Sequence, residues 1–209
     1  MPDDSTRSRR AEILEVAADL ASSEGLSGLS IGSLARAVAM SKSGLFAHFG
    51  SKDRLQRAVI DQAAAAFEAA VLAPAASAAP GLPRLEALLE RWIGHVERSR
   101  YRGGCFFDAT STEFGSQPGP IRDRLAALCR GWIAALEEQA TLAVRLGELA
   151  PATDPAGLVF RLHAVVAEAN WWRELFAEAD AFDRARAAIA ATLISCAPIE
   201  TPRTRGTRP

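Results

Sequence analysis

The chain has 209 residues, of which 49% are apolar and 23% charged, and its formal net charge is −1. This length suits one large or two small domains, and the apolar share is ample for a core. Alanine and leucine are abundant while aromatic residues make up 7%, which favours an all-α fold. The near-neutral charge excludes a uniformly basic surface, so any contact with nucleic acid has to come from a local segment.

The three cysteines, Cys105, Cys129 and Cys196, are far apart and match no zinc-binding spacing. An odd number without a disulfide framework suits a reducing compartment. The N-terminus is polar and lacks the apolar centre of a signal peptide. No apolar run approaches the roughly 18 residues that span a bilayer. We therefore expect a cytoplasmic protein with no membrane partner, and no cofactor or metal.

The first six residues predict a flexible arm, and helical periodicity starts after them. Gly25 is expected to end the first helix, because a glycine past the last turn takes the left-handed conformation readily. Ser30, Ser41 and Ser51 each precede an apolar periodic stretch and are expected to cap the next three helices. The first four helices are therefore separated by short connections.

A segment rich in Ala, Pro, Ser and Gly over residues 73–83 predicts a loop and the main break in the chain. Five more helices are expected beyond it, including a short one within 101–120 and others that start near Pro120, Asp154 and Asp180. The total is about nine helices. The Pro/Thr/Arg-rich end, residues 199–209, is expected to be disordered.

Residues 31–49 read as helix, three-residue turn, helix, the layout that presents a second helix to the major groove of DNA. Small hydrogen-bonding side chains at the front of that second helix suit base edges, and cations at helix ends suit phosphates. The candidate DNA-binding residues are Ser30, Ser41, Lys42, Ser43, Gly44, His48, Lys52 and Arg10. The alternatives are that the serines only cap helices, that Gly44 only allows close helix packing, and that the lysines are solvated charges.

These residues belong to a longer pattern, which resembles the TetR repressor family up to Leu55. The matching segments are Ile13-Leu14, Ala17-Ala18, Glu24-Gly25, Leu29-Ser30-Ile31, Leu34-Ala35, Ser41 to Phe49 and Ser51 to Leu55. The resemblance implies a three-helix DNA-binding head, a linking fourth helix, a variable helical regulatory domain and dimerisation through the last two helices. Two positions depart from the family: Phe46 stands where a tyrosine that often touches phosphate is usual, and Ala39-Met40 stands where Gly-Val is frequent.

The family resemblance places an effector cavity among helices four to eight. A mostly apolar set of side chains with a few polar groups is the composition expected there. The candidate ligand-binding residues are Trp92, Cys105, Phe106, Asp108, Trp132, His163 and Asn170. The aromatic residues among them are also expected in an ordinary core, and His163 is also expected as a satisfied core histidine. A redox role for Cys105 would need an exposed, electropositive setting.

The last two predicted helices carry an apolar face that would form a four-helix seam across a two-fold axis. The candidate dimerisation residues are Leu158, Leu162, Val165, Val166, Ala169, Ile189 and Leu193, although the same faces also suit intrachain core. The predicted organisation is therefore a helix-turn-helix domain over 1–50, a regulatory and dimerisation domain over 51–198, and a tail over 199–209.

The expected function is transcriptional repression on a palindromic operator, relieved by a small-molecule effector. The partners are then operator DNA, a second copy of the chain and an unidentified effector. A helical enzyme is the main rival, but the sequence has no metal-binding His-Glu pair, phosphate loop or nucleophile elbow. A structural DNA-coating protein would need a strongly positive charge. Activation in place of repression stays open, as do the effector and the operator sequence.

Overall fold

The computed structural model describes residues 4–98 and 101–198, and these residues form nine α-helices and no strand. The predicted all-α class is thus confirmed. The helices are α1 (Asp4–Glu24), α2 (Ile31–Ala37), α3 (Lys42–Phe49), α4 (Lys52–Ala75), α5 (Leu82–Glu97), α6 (Phe106–Phe114), α7 (Pro120–Arg145), α8 (Pro155–Phe176) and α9 (Ala181–Ser195).

Local capping explains where the helices of the N-terminal half begin. The hydroxyl oxygens of Ser30, Ser41 and Ser51 accept hydrogen bonds from backbone amides in the first turns of α2, α3 and α4. Gly25 follows the end of α1 with φ +85°, as predicted. These caps satisfy amides that a helix N-terminus leaves without a partner, and they set the three short connections of the head.

Helix α4 is longer than predicted, because it continues to Ala75 through a π-helical turn at Glu68–Leu72. Pro74 has no N–H for the helical ladder, and its ring would clash with the carbonyl of Ala70 in a regular α-helix. The wider π turn accommodates that residue. The loop predicted over 73–83 is therefore wrong at both ends, since α5 already begins at Leu82.

The predicted N-terminal arm is also wrong in part, because α1 begins at Asp4. Arg10 therefore lies within a helix, and its guanidinium carbon stands 5.1 Å from the ring centroid of Phe49. This contact places the Arg10 side chain beside α3. The predicted tail, residues 199–209, lies outside the described residues.

Two clusters of buried residues form the core. The first holds α1 to α4 together around Ile13, Leu34, Leu45 and Leu55, and it continues into the C-terminal half through Phe106, Phe114, Ile121 and Leu125. The second cluster lies among the end of α4, α5, α7, α8 and α9. Packing therefore does not stop at residue 50, and the predicted domain boundary there stays a prediction.

One helix of the described residues, α4, is long and apolar enough by length and composition to cross a membrane. In this fold α4 connects the head to the C-terminal helices. Its Leu55, Val59, Ile60 and Val71 side chains are buried against other helices of the chain. Core packing therefore accounts for one face of α4, whereas most of its apolar stretch is not buried.

Candidate functional site

The connection between α2 and α3 is a Schellman turn. The Met40 amide donates to the Ala35 carbonyl at 2.9 Å and the Ala39 amide donates to the Arg36 carbonyl at 3.3 Å. Ala39 has φ +52°, in the left-handed region that favours glycine. The turn predicted from the helix spacing is formed, and the Ala39 backbone is strained in it.

Replacing Ala39 with glycine is expected to raise the free energy of unfolding by about 0.5–1 kcal/mol, because glycine adopts this φ without a steric penalty. Urea denaturation followed by circular dichroism measures the change. The matched control is Ala127→Gly in the exposed middle of α7, which is expected to lower the stability by about 1 kcal/mol. Equal destabilisation by both variants would contradict the strained turn.

Helix α3 has one buried and one exposed face. Leu45 and Phe49 point into the head, while Lys42, Ser43 and Phe46 are exposed on the opposite side. The spacing of three and four residues places these three exposed side chains on one surface. An exposed, polar face at the start of the second helix is the part of a helix-turn-helix that contacts base edges.

Two candidate residues of this region have local structural roles. A Cβ atom on Gly44 would lie 3.1 Å from the Ser41 hydroxyl oxygen and 3.6 Å from the Met40 methyl carbon. The missing side chain therefore makes room for the cap of α3, which supports the packing alternative for Gly44. The Ser30 hydroxyl forms a capping box with Ser33, so its DNA contact remains a prediction beside its confirmed cap.

The remaining candidates lie around this face. Lys42 and Arg10 are exposed, and His48 is half-buried with its ring 6.2 Å from that of Phe49. The Lys52 ammonium group donates to the Ser27 carbonyl, so it also ties α4 to the connection between α1 and α2. The structure brings these residues to one end of the head, and their contacts with DNA stay predictions.

Three predicted ligand-binding residues meet in the C-terminal half. The Trp92 ring lies 5.5 Å from Trp132 and 4.8 Å from His163, measured between centroids. Phe67 lies 5.1 Å from Trp132 and 6.1 Å from Phe107. We call these five rings the aromatic cluster. Burial lowers the pKa of His163, so its imidazole is neutral at pH 7.

Sequence reasoning missed Phe67 and Phe107, and it placed Phe106 in the site. Phe106 is buried in the first core cluster, with its ring 6.2 Å from that of Tyr101 and 5.4 Å from that of Phe107, so its role in ligand binding stays a prediction. Adjacent residues on a helix point about 100° apart, so a run of two phenylalanines does not reveal which one faces the site. The Trp132 indole N–H is buried and has no hydrogen-bond partner among the described residues.

A second predicted group is polar. The Asn170 side-chain oxygen accepts from the Cys105 amide at 3.2 Å, and its side-chain nitrogen donates to Asp108 at 3.2 Å. Burial raises the pKa of Asp108 to about 6, although hydrogen bonds from Cys105 and Asn170 lower it. Burial also raises the pKa of the Cys105 thiol far above its ordinary value, which disfavours a redox role.

The described residues contain no group of three or more side chains that could hold a metal ion. The residue types that could bind a metal in the C-terminal half include His95, Cys105 and Asp108. In the structure His95 lies against Phe67, with 5.5 Å between ring centroids, while Cys105 and Asp108 bond with Asn170. The described arrangement therefore gives no support to a metal centre.

Helix α6 is bonded directly to the head. The two carboxylate oxygens of Glu113 accept from the amides of Leu26 and Ser27 at 2.7 and 2.8 Å. Gln56 of α4 donates to the Leu26 carbonyl at 2.7 Å. The turn between α1 and α2 is therefore held by α4 and α6 together, and we call this set of contacts the Glu113 clasp.

A second contact joins the end of α1 to the loop before α6. Asp19 accepts from the backbone and the guanidinium of Arg102, both at 2.8 Å. The Gly103 amide donates to the Ser22 hydroxyl at 3.2 Å. A Cβ on Gly103 would lie 2.0 Å from the Ser22 carbonyl oxygen, so only glycine fits this approach.

Most of the predicted dimerisation residues are buried inside the chain. Their exposed fraction is 0% for Leu158, Leu162 and Val166, and 7% for Ile189 and Leu193, while Val165 is half-buried and Ala169 is 6% exposed. Side chains at 0% exposure have no surface left for a second copy. These residues therefore support the packing of α8 on α9 and on the rest of the chain.

A different set of large apolar side chains is exposed on α8 and α9. Phe160 is 76% exposed and Ile194 is 74% exposed, and the others are Trp171, Leu175 and Phe176. A groove of about 560 Å³ runs between the two helices, lined by Ala164, Val165, Glu168, Trp172, Arg184 and Ala188. Sequence reasoning did not single out these exposed residues, because the apolar periodicity of α8 and α9 pointed to side chains that pack inside the chain.

The three-helix head, the linking α4 and the helical C-terminal half define a helix-turn-helix DNA-binding regulator. Residues 13–59 match the bacterial regulatory proteins of the tetR family, and residues 81–189 match the tetracyclin repressor-like C-terminal domain. The chain belongs to the TetR family of transcription regulators. It is accordingly a DNA-binding transcription factor and not an enzyme.

Solved structures of the family share the fold. A TetR transcriptional regulator from Chloroflexus aurantiacus is 23% identical with a TM-score of 0.81, covering 90% of this chain and 95% of its own. The regulator AibR, solved with isovaleryl coenzyme A and operator DNA, is 25% identical with a TM-score of 0.72, covering 91% and 100%. The ketosteroid regulator KstR2 of Mycobacterium tuberculosis is 17% identical with a TM-score of 0.70, covering 90% and 95%. No curated protein sequence matches the chain.

Proposed function

We propose that the chain is a homodimeric repressor that a small-molecule effector releases from a palindromic operator. The observation that carries this proposal is the position of α6. Phe107 of α6 lies in the aromatic cluster, and Glu113 of the same helix clasps Leu26 and Ser27 of the head. A molecule bound at the cluster would thus act on a helix that supports the DNA-binding head.

The DNA-binding surface in this proposal is the exposed face of α3 with the neighbouring helix ends. Lys42 and Ser43 would contact base edges or phosphates. Ser30, Lys52 and Arg10 would bind phosphates of the DNA backbone. His48 and Gly44 would support this surface from the side of α3 that is half-buried. A net charge of −1 is compatible with this proposal, because a local group of cations is enough to contact DNA.

Replacing Lys42 with alanine is expected to weaken operator binding about fivefold or more, because a charge-assisted contact with DNA is lost. The operator is first obtained by selection from a random DNA pool, and the affinity is then measured at several salt concentrations. A phosphate contact predicts that the slope of log affinity against log salt falls by about 0.9 per chain. The matched control is Arg145→Ala, an exposed cation at the far end of α7, which should leave affinity unchanged.

The dimer in this proposal is formed by the exposed apolar surface of α8 and α9. Burying Phe160, Ile194 and their neighbours would remove a large apolar area from water, which drives association. A two-fold axis through this surface would place two recognition helices about 34–36 Å apart, one turn of DNA. Sedimentation of Phe160→Glu tests whether this surface forms the dimer, and Thr141→Ala at an exposed position of α7 is the control that should leave the assembly unchanged.

The effector would release DNA only by binding one conformation of the chain better than the other. A coupling of about 1–3 kcal/mol would change operator affinity by roughly 5–150-fold. The proposed ligand contacts are Trp92, Trp132 and His163 of the aromatic cluster, with Cys105, Asp108 and Asn170 beside them. AibR, which was solved with an acyl coenzyme A and operator DNA, supports a small molecule as the effector class.

Repression itself is tested by transcription with purified RNA polymerase from a promoter that carries the selected operator. Transcript should fall as the protein is added, and a rise would identify an activator. This action on DNA implies residence in the cytoplasm, with no membrane partner. Failure to enrich any sequence from the random pool would contradict the operator proposal as a whole.

A further inference from the structure

The exposed face of α3 carries an apolar side chain beside its polar ones. Phe46 is 55% exposed, and the only other large apolar side chain exposed in the described part of α1 to α4 is Val16, at 36%. Phe46 follows Ser43 by three residues and Lys42 by four, so it lies on their side of the helix. A phenyl ring therefore lies exposed on the surface proposed to face DNA, where contact with an apolar group would remove it from water.

Base edges in the major groove offer one apolar group. Guanine, adenine and cytosine present hydrogen-bond donors and acceptors there, whereas thymine adds its C5 methyl. The ring of Phe46 has no hydrogen-bonding atom, so it can neither bond to a phosphate nor pair with a donor or acceptor. The thymine methyl is the largest apolar group on these edges, so it offers the ring the most apolar surface to bury.

We propose that Phe46 is a specificity-determining residue that reads the C5 methyl of one thymine in each operator half-site. This inference rests on the proposed operator binding. The buried positions of α3, Leu45 and Phe49, hold the helix in the head, so the ring of Phe46 projects from a fixed support. Ser43, one turn earlier on the same face, supplies a hydrogen-bonding group for a neighbouring base.

The test uses the full chain and the DNA selected from a random pool. Each thymine of the half-site is replaced in turn by deoxyuridine, which removes only the methyl group. One such replacement per half-site is expected to weaken wild-type binding by about 3- to 10-fold, the range for burying part of a phenyl ring against a methyl. The same replacement should leave the affinity of Phe46→Ala unchanged, because the ring that senses the methyl is gone.

Two variants make the result specific to Phe46. Ser43→Ala is expected to bind more weakly but to keep the wild-type sensitivity to deoxyuridine. Phe46→Leu keeps an apolar side chain and is expected to retain part of that sensitivity. Thermal unfolding checks that each variant is folded. We expect folded variants, because both positions are exposed.

Three results would overturn the inference or its basis. If no deoxyuridine replacement distinguishes wild type from Phe46→Ala, the ring packs against sugar or solvent and reads no base. If Ser43→Ala also loses the sensitivity, the methyl is sensed by the whole surface and not by Phe46. If the pool yields no enriched sequence, the operator proposal fails and the inference fails with it.

Discussion

Replacement of Glu113 with alanine is expected to lower the free energy of unfolding by about 2–3 kcal/mol, because it removes two charge-assisted hydrogen bonds of the Glu113 clasp. The amides of Leu26 and Ser27 lose their acceptors when the carboxylate is gone. Gln56 still holds the Leu26 carbonyl, so the turn loosens without detaching from α4. Urea denaturation measures the loss of stability.

Amide hydrogen exchange locates the same effect. Leu26 and Ser27 should exchange faster in Glu113→Ala, while amides in the middle of α7 keep their rates. Thr112→Ala, at the neighbouring exposed position of α6, is the matched control and should change stability by less than about 0.5 kcal/mol. Glu113→Gln retains one carbonyl oxygen as an acceptor. Its loss of unfolding free energy should be about half that of Glu113→Ala. Unchanged exchange at both amides would contradict the clasp.

The Glu113 clasp also links α6 to the head, so movement of α6 would be transmitted to the turn between α1 and α2. In the proposed function, a ligand at the aromatic cluster would displace Phe107 and, with it, a helix whose other end carries Glu113. The Arg102 contact with Asp19 adds a second link to α1. The head is thus joined to the C-terminal half by α4, by α6 and by the loop before α6. The proposed effector response would therefore have more than one route from the C-terminal half to the head.

Local signals in the sequence were sufficient to predict the helices of the head. Ser30, Ser41 and Ser51 cap where their side chains predict caps, because capping depends on residues within one turn. The end of α4 could not be predicted in the same way. Pro74 normally ends a helix, and its accommodation by a π turn depends on packing of Val71 and Ala75 in the core.

The site was predicted less completely than the fold. Trp92, Trp132 and His163 were predicted and do lie together, but Phe67, which comes from α4 and is far from them in the sequence, was not among the candidates. Periodicity shows which face of a helix is apolar and does not show which neighbour covers it. The same limit explains why Leu158 of α8 was placed at the surface of a dimer when it is buried inside one chain.

Replacement of Asp108 with asparagine is expected to raise the free energy of unfolding at pH 7 by about 3 kcal/mol and to have little effect near pH 4. The reason is the burial of this carboxyl, which raises its pKa from 3.8 to about 6. Below about pH 4 the group is protonated in both the folded and the unfolded chain, so it contributes no pH-dependent difference. Between about pH 4 and 6 the unfolded chain loses the proton first, and the folded chain is progressively destabilised.

Urea denaturation of both proteins from pH 4 to pH 8 measures this difference. The difference in free energy of unfolding between Asp108→Asn and the wild type should grow from about pH 4 to pH 6. Above that interval it should stay constant, because the carboxylate is then ionised in both the folded and the unfolded chain. Glu97→Gln is a control of opposite sign: a hydrogen bond from Arg186 lowers the pKa of Glu97, so its removal should destabilise the protein at pH 7 and not at low pH. A gap for Asp108→Asn that does not vary with pH would mean that the substitution acts through packing or through its bond with Asn170, and not through the proton on the buried carboxyl.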